Sequence, residues 1–255
     1  MMSNPAKTRW LQYWQRSPKA RIRLFCFPYA GGSASIFRTW HQHLPQEVEV
    51  CPVQLPGREG RLSDRPFSDL HLLIDELVIA LSPFLDMPYA FFGHSMGALV
   101  SFELTRYLQR VRSHPLPAHL FVSGRRAPQI PGSDPPTSSR SDADFIEELR
   151  RLKGTPELVL QNKELLTLLL PILRADFQLC ETYTYRDDDP LRCSITAFGG
   201  LYDTEVPSPM IAAWREQTSL AFKHRFFDGD HFFLHKEQKA LLTAIAQDIF
   251  IILQK

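Results

Sequence analysis

The chain has 255 residues, of which 44% are hydrophobic and 22% are charged. This size and composition predict one globular domain over residues 1–255 and exclude fibrous, collagen-like and wholly disordered proteins. The 29 Lys and Arg residues nearly balance the 28 Asp and Glu residues, so the formal net charge of +1 gives no electrostatic reason to expect a nucleic-acid partner.

The cysteines exclude further classes of protein. They lie far apart, without CxxC or CxxH spacing, at Cys26, Cys51, Cys180 and Cys193. Neither a zinc site nor a disulfide framework is therefore expected, and free thiols favour a reducing, cytoplasmic setting. The most apolar stretch, residues 165–173, is much shorter than the roughly 18 residues that a membrane-spanning helix needs, so no membrane association is expected.

The amino-terminal segment is basic. Residues 1–46 include seven Lys and Arg residues and no acidic residue, which leaves 22 basic against 28 acidic residues in the rest of the chain. This asymmetry suggests either a surface that attracts an acidic partner or a solvated face without one. The segment is interpreted as an ordered lead-in, in which Trp10 and Trp14 share one face of a short helix that packs onto the domain and ends at Pro18. The alternative is an organelle transit peptide, which is also rich in arginine and poor in acidic residues.

Apolar strand-like runs alternate with amphipathic helical stretches along the chain. Strands are predicted at residues 22–27, 48–53, 89–93, 120–123, 194–198 and 221–227. Helices are predicted at residues 35–43, 69–85, 98–109, 209–218 and 236–253. This alternation predicts an α/β fold in which helices cover both faces of a mostly parallel sheet.

The alternation fails after the fourth predicted strand. Two helical stretches follow there with no strand between them, so residues 128–190 are interpreted as a helical insertion. Ser141 followed by Asp144 resembles a capping box and predicts the start of the first helix.

The second helical stretch of the insertion covers residues 156–182 and is predicted to kink or break at Pro171. Its leucine-rich part, residues 165–173, predicts either an ordinary buried helix or a lid over an acyl-binding cavity.

The most specific local signal is the sequence GHSMG at residues 93–97, between a predicted strand and a predicted helix. This is the context of a nucleophile elbow, a turn so tight that side chains at both glycine positions would clash with the backbone. The turn would present the hydroxyl of Ser95 at the carboxyl edge of the sheet, next to a helix N-terminus that favours negative charge. Ser95 is therefore the candidate nucleophile.

A serine nucleophile needs a general base, and in this type of fold the order along the chain is Ser, then Asp or Glu, then His. His231 is the candidate base, because it follows a predicted strand directly in the glycine-containing turn DGDH. His224 lies within that strand and His235 begins the last helix, so both are interpreted as structural.

The acid should follow the preceding strand, in the loop GGLYDTEVP. Asp203 is the preferred residue, since it could accept the Nδ1 proton of His231 and fix the tautomer of the ring. Glu205 is the alternative, whereas the two acids of the DGDH turn are too close to His231 in sequence.

A tetrahedral intermediate also needs backbone donors for its negative charge. One is the amide that follows the nucleophile, that of Met96. The second should come from the loop FPYAGG after the first strand, where Ala30 is preferred and Tyr29 is the alternative.

Together these motifs resemble those of the type II thioesterases, the free-standing editing enzymes of polyketide and nonribosomal peptide synthesis. The resemblance covers nearly the whole chain and depends on LFCFPYAGGSASIFRTW, QLPGREGRL, FFGHSMGALVSFEL, YDTEVP and FDGDHFFL, and on the lid-like LRADFQLCETYTY. The resemblance implies an α/β-hydrolase fold. It also implies an enzyme that cleaves acyl thioesters from the phosphopantetheine arm of acyl or peptidyl carrier proteins and so removes stalled or misprimed units. The implied triad is Ser95, Asp203 and His231, with the amides of Ala30 and Met96 as oxyanion donors. No metal or dissociable cofactor is implied, because phosphopantetheine belongs to the substrate, and the chain is taken to be a monomer.

The residues by themselves predict a serine hydrolase, because a fold and a triad do not select among esters, amides and thioesters. A chain-terminating fatty acyl thioesterase or a general short-acyl esterase is the alternative within that class. A non-catalytic protein that docks on a synthetase is the alternative outside it.

Overall fold

Six strands form one parallel sheet in the computed structural model, which describes residues 8–112, 114–132 and 135–254. The strands are β1 (Ile22–Phe27), β2 (Val48–Pro52), β3 (Tyr89–His94), β4 (His119–Ser123), β5 (Ser194–Gly200) and β6 (Phe222–Phe227). Their order is β2-β1-β3-β4-β5-β6, and every neighbouring pair is parallel. The predicted sheet is confirmed, with each strand within two residues of its expected bounds.

Strands β1 to β5 are buried on both faces, which explains why they are mostly apolar, whereas the edge strand β6 is partly exposed. Successive side chains of a strand point to opposite faces. Along β1, Phe25 and Phe27 accordingly belong to one hydrophobic cluster, whereas Leu24 and Cys26 belong to another.

Helices cover both faces of the sheet. Among the described residues they are α1 (Leu70–Leu81), α2 (Met96–Val111), α3 (Asp142–Leu152), α4 (Glu157–Leu160), α5 (Lys163–Glu181), α6 (Ser208–Ala212), α7 (Phe233–Lys236) and α8 (Gln238–Leu253). The predicted helix over residues 209–218 is shorter than expected, since α6 passes into the 3-10 helix Ala213–Gln217.

The predicted helix over residues 35–43 is wrong. Two short 3-10 helices, Ala34–Phe37 and Trp40–Gln42, take its place. A 3-10 turn puts residues three apart on one side of the chain. Phe37 and Trp40 use this spacing to pack together against Phe92 in the core.

Residues 8–20 of the basic segment form no helix, so the predicted helix at Trp10 and Trp14 is wrong. The main chain of this segment pairs with the chain after β2: Leu11 forms an antiparallel bridge with Val53, and the amide of Gln54 donates to the carbonyl of Trp10 at 2.8 Å. Both tryptophans nevertheless pack against the core as predicted. The transit-peptide hypothesis concerns residues 1–23, of which residues 1–7, including Lys7, lie outside the described residues, and it stays a prediction.

Helices α3, α4 and α5 form the insertion between β4 and β5. Ser141 caps α3 as predicted, since its side chain accepts the amide of Asp144 at 3.2 Å. Of the kink or break predicted at Pro171, the break is wrong, because α5 continues through this residue, and the kink stays a prediction. The chain breaks instead before α5, where the side chain of Asn162 accepts the amide of Leu165 at 3.1 Å and caps the helix.

Two other expectations concern membranes and thiols. Over the part of the chain that the structure describes, no helix is both long and apolar enough to cross a membrane. All four cysteines are free thiols.

Candidate active site

The carboxyl ends of the parallel strands bring the predicted site residues to one edge of the sheet. Ala30 follows β1, Ser95 follows β3, Asp203 follows β5 and His231 follows β6. Loops that are distant in sequence therefore meet at this edge, which is where open α/β sheets bind ligands.

Ser95 lies in a strained turn between β3 and α2. Its φ of +52° is unusual for a residue other than glycine. A Cβ atom added at Gly93 would lie 2.1 Å from the carbonyl oxygen of Gly97, and one added at Gly97 would lie 2.1 Å from that of Phe27. Close backbone packing therefore requires both glycines, as the elbow motif predicts.

His231 and Asp203 are joined by a hydrogen bond between the loops after β6 and β5. His231 Nδ1 lies 2.8 Å from Asp203 Oδ2, and the Asp203 side chain is fully buried. The amides of Glu205 and Val206 donate to Asp203 Oδ1 at 2.9 and 3.1 Å and fix the carboxylate. Because a carboxylate accepts, Nδ1 carries the proton, and Nε2 of the neutral ring is left as a proton acceptor.

The alternative acid and the alternative histidines have other neighbours. Glu205 accepts a hydrogen bond of 2.7 Å from Arg151 of α3. His235 Nε2 lies 2.9 Å from the hydroxyl of Tyr29. His224 lies within β6 and packs against the rings of Phe222 and Phe226.

His94 is a buried neighbour of His231. The centroids of the two rings are 5.2 Å apart, and His94 Nδ1 lies 2.9 Å from Ser123 Oγ. Burial, with smaller contributions from His231 and His235, holds the pKa of His94 well below its ordinary value. A neutral His94 places no positive charge beside His231.

The loop after β1 contains the predicted oxyanion donor. Its Gly31 amide donates to Asp176 at 2.7 Å and its Gly32 amide donates to the carbonyl of Tyr29 at 2.9 Å, so neither is available to a ligand. The two predicted donors of this loop, Ala30 and Tyr29, both line the same cavity as Ser95. Met96 begins α2, and the first amides of a helix have no partner within it.

Ser95 and His231 line a cavity of about 360 Å³, which is in the range of small-molecule sites. Its apolar wall from the insertion consists of Leu149, Leu152, Leu173 and Phe177. Within the leucine-rich stretch, Leu173 lines the cavity. Leu165 and Leu168 are exposed, and Leu166 is buried in the hydrophobic core of the insertion.

Comparison with known proteins identifies the family. A family model of the thioesterase domain matches residues 22–251. The chain belongs to the thioesterase family. This thioesterase is 45% identical over 245 residues to the gramicidin S biosynthesis protein GrsT of Aneurinibacillus migulanus, covering 96% of this chain and 95% of GrsT. It is 48% identical over 241 residues to a protein named linear gramicidin dehydrogenase LgrE from Brevibacillus parabrevis, covering 93% and 91% of the two chains.

A solved structure supports the same assignment. The type II thioesterase BorB from the borrelidin biosynthetic cluster has a TM-score of 0.84 to this thioesterase at 37% identity, covering 93% of this chain and 96% of BorB. The predicted resemblance to type II thioesterases, the α/β-hydrolase fold and the class of enzyme, a thioester hydrolase, are confirmed.

One feature beside the site was not predicted from the sequence. Arg58 and Asp176 form a buried ion pair although they are 118 residues apart. The signal available in the sequence was an acid within a leucine-rich helix, in the motif LRADF, and an arginine within QLPGREGRL. Neither motif indicates that its charged residue faces the other.

Proposed function

We propose that this thioesterase hydrolyses acyl groups from the phosphopantetheine arm of carrier proteins, with Ser95, His231 and Asp203 as its catalytic triad. The main support is the 2.8 Å hydrogen bond from His231 to the buried Asp203, at the cavity that Ser95 also lines. This bond gives His231 the tautomer in which Nε2 can accept a proton from a serine hydroxyl.

In the first half-reaction, Ser95 Oγ attacks the thioester carbonyl carbon while His231 Nε2 accepts the hydroxyl proton. The carbonyl oxygen becomes an oxyanion, which the amides of Ala30 and Met96 stabilise. Collapse of the tetrahedral intermediate breaks the C–S bond, and the thiol of the arm leaves with the proton from His231. An acyl ester of Ser95 remains.

In the second half-reaction, water attacks the ester and gives a proton to His231. The same amides stabilise the second oxyanion, and collapse releases a carboxylic acid and returns the proton to Ser95. Asp203 orients the ring of His231 and stabilises its imidazolium in both halves. The proposed reaction uses no metal and no dissociable cofactor.

The relatives support the choice of substrate. GrsT is named for gramicidin S biosynthesis, and BorB is a type II thioesterase of a borrelidin cluster. We therefore assign this chain an editing role, the removal of stalled or misprimed acyl units from carriers. It would act as a monomer in the cytoplasm, a compartment that suits its four free thiols.

The test is hydrolysis of a panel of acyl-loaded carrier proteins by the wild type and two serine variants. Ser95→Ala should fold normally and lose at least about 1,000-fold in kcat. The matched control is Ser101→Ala, nearly two turns further along α2, where the hydroxyl donates to the carbonyl of Ala98. This control should keep its activity within a few-fold, and near-full activity of Ser95→Ala would contradict the triad.

The same panel separates the alternatives. A chain-terminating fatty acyl thioesterase would cleave long fatty acyl carriers in strong preference to short or branched ones. A general short-acyl esterase would cleave oxygen esters as well as thioesters. A non-catalytic docking protein would hydrolyse none of them.

The name of LgrE raises reduction as another class of reaction. Enzymes that bind a dinucleotide through a Rossmann fold carry a GxGxxG turn after a strand. No two of the 12 glycines of this chain are separated by a single residue, so the fingerprint is absent from the sequence. Hydrolysis is therefore the proposal, and release of the free acid without added nucleotide is the check.

A further inference from the structure

The buried pair of Arg58 and Asp176 joins the core of the hydrolase to its insertion. Arg58 lies in the loop after β2, and Asp176 lies in α5. Arg58 Nη1 and Nη2 each donate to one carboxylate oxygen at 2.8 Å, and the side chains are only 6% and 3% exposed. Burying two charges carries a desolvation cost, and apolar replacements are often as stable. Fold stability alone therefore does not explain why this pair is present.

The other polar contacts of the pair include the backbone of the predicted oxyanion loop. Asp176 Oδ2 accepts the amide of Gly31 at 2.7 Å, and Arg58 Nη1 donates to the carbonyl of Gly32 at 3.0 Å. Gly31 and Gly32 are the two residues that follow Ala30 in the chain. The pair thus fixes the backbone next to the amide proposed to bind the oxyanion.

We infer that Asp176 and Arg58 are positioning residues of the oxyanion hole: Asp176 holds the loop that carries Ala30, and Arg58 neutralises the Asp176 carboxylate. The inference rests on the proposed function, because it takes Ala30 as an oxyanion donor.

Neutralisation matters because the carboxylate lies close to the charge that develops during the reaction. Asp176 accepts the amide that follows that of Ala30, so an oxyanion on Ala30 would lie within about 10 Å of it. Two negative charges at this distance in a partly buried site repel each other. The bidentate guanidinium of Arg58 lets Asp176 hold the loop without opposing the oxyanion.

Helix α5 therefore contributes to the oxyanion loop as well as to the cavity wall. Leu173, nearly one turn before Asp176, packs over the same loop. A Cβ atom added at Gly31 would lie 2.5 Å from Leu173 Cδ2. The loop is thus held by one polar and one apolar contact from the insertion.

The test compares the single variant Arg58→Met with the double variant Arg58→Met/Asp176→Asn. The single variant leaves an unpaired carboxylate at Gly31 and should lower kcat by about 30-fold or more with KM within about 3-fold. The double variant removes that charge but keeps an acceptor for the Gly31 amide. It should recover kcat to within about 5-fold of the wild type, a non-additive result.

A pair of inhibitors separates positioning from a purely structural role. The Ki of a boronic acid that forms an anionic tetrahedral adduct with Ser95 should rise in parallel with the loss of kcat. The Ki of an unreactive thioether analogue of the substrate should not change. A lower Tm with unchanged kcat and unchanged boronic acid Ki would overturn the inference.

Another buried ion pair provides the matched control. Arg23 donates to Glu49 at 2.8 Å near the amino ends of β1 and β2, far from the oxyanion loop. Glu49→Gln should lower Tm and leave kcat unchanged. If Arg58→Met does not fold, Asp176→Asn and Asp176→Ala replace it. The first should keep kcat within about 3-fold and the second should lose about 10-fold, and equal kcat values would overturn the inference.

Failure of the inference and failure of the proposed function give different results. Activity that survives in Ser95→Ala would contradict the proposed function itself. Activity that requires Ser95 but is undiminished in Arg58→Met would overturn only the role of the ion pair.

Discussion

The carboxyl edge of the sheet and the helical insertion are stabilised in different ways. At the sheet edge, the amide of Ser95 donates to the carbonyl of Ser123 at the end of β4, and Asp203 bonds to His231 across the loops after β5 and β6, both at 2.8 Å. The insertion has a small hydrophobic core of its own, formed by Phe145, Leu149, Leu160, Leu166 and Leu173. It contacts the rest of the molecule through ion pairs such as Arg151 with Glu205 and through apolar side chains such as Leu179, which belongs to the main core.

This difference separates the proposed chemistry from the choice of substrate. Groups that react must be placed to within a fraction of an ångström, and rigid strands provide that precision. A cavity wall can vary in shape while the strands stay in place. Substitutions at the sheet edge should therefore change kcat. Substitutions in the cavity wall of the insertion, apart from the Asp176 contact with the oxyanion loop, should change the preferred acyl group.

The largest effect in this comparison is expected at the sheet edge, from Asp203→Asn. The amide cannot enforce the tautomer of His231, so kcat should fall by about 1,000- to 10,000-fold while the fold is kept. The matched control is Glu205→Gln, whose side chain pairs with Arg151 of the insertion and should change kcat by less than about 3-fold. Steady-state kinetics on one acyl carrier checks both, and a larger loss for Glu205→Gln would identify it as the acid.

An intermediate effect is expected in the insertion, from Phe177→Ala. Phe177 lines the cavity and packs edge to face against Phe145 with ring centroids 5.2 Å apart. Its removal enlarges the acyl space, so the ratio of kcat/KM for bulky over small acyl groups should rise about 10-fold. Leu168→Ala, at a 53% exposed position of the same helix, is the control and should leave that ratio unchanged. A fall in Tm without any change of preference would assign Phe177 to the core alone.

The same two regions differ in how well sequence predicts them. The elements of the sheet edge were predictable because each carries a local signal: an apolar run, then a glycine turn, then one polar residue. The GHSMG turn fixes its own geometry, since a Cβ atom at Gly93 or Gly97 would overlap the backbone. The strand bounds followed from burial on both faces, which leaves few polar residues inside a strand.

The insertion was less predictable because competing signals decide its boundaries. Pro171 removes a single hydrogen bond, which a long packed helix tolerates, whereas the side chain of Asn162 actively caps α5. The pair of Arg58 and Asp176 depends on tertiary contact between segments 118 residues apart. No periodicity or local motif contains that information.

A smaller effect concerns pH and the stability of the sheet edge. The pKa of His94 is held well below its ordinary value by burial, so the unfolded chain takes up a proton near pH 6.5 that the folded chain does not. The free energy of unfolding is therefore unaffected well above that pH. It falls as the pH decreases below it, by up to about 1.4 kcal/mol per pH unit.

Urea unfolding at about pH 7.5 and about pH 5.5 measures this effect. The wild type should lose about 1 kcal/mol more between the two conditions than His94→Gln, which cannot titrate. The insertion should not contribute to the pH dependence of the free energy of unfolding between these two conditions. Hydrogen bonds from Ser138 and Thr137 hold the pKa of Glu181 below its ordinary value against the opposing effect of burial, so its contribution is lost only at more acidic pH. An equal pH dependence in both proteins would contradict a buried neutral His94.

The smallest effect is expected from the basic amino-terminal segment. Arg9 is paired with Asp64, and the other cations that the structure describes before β1, Arg16, Lys19 and Arg21, are exposed. These cations precede β1, whereas Ser95 follows the carboxyl end of β3, which pairs with β1 in parallel. The two sites lie at opposite edges of the sheet, about 20 Å apart, because six residues of a strand extend about that far. A carrier that delivers its thioester to Ser95 would approach the other edge of the sheet.

Neutralising these three cations should therefore change kcat/KM for an acyl carrier by less than about 3-fold, even at low ionic strength. Salt should affect the carrier and a small pantetheine thioester alike. A fall in kcat/KM for the carrier alone would contradict this expectation and favour the segment as a docking surface for an acidic partner.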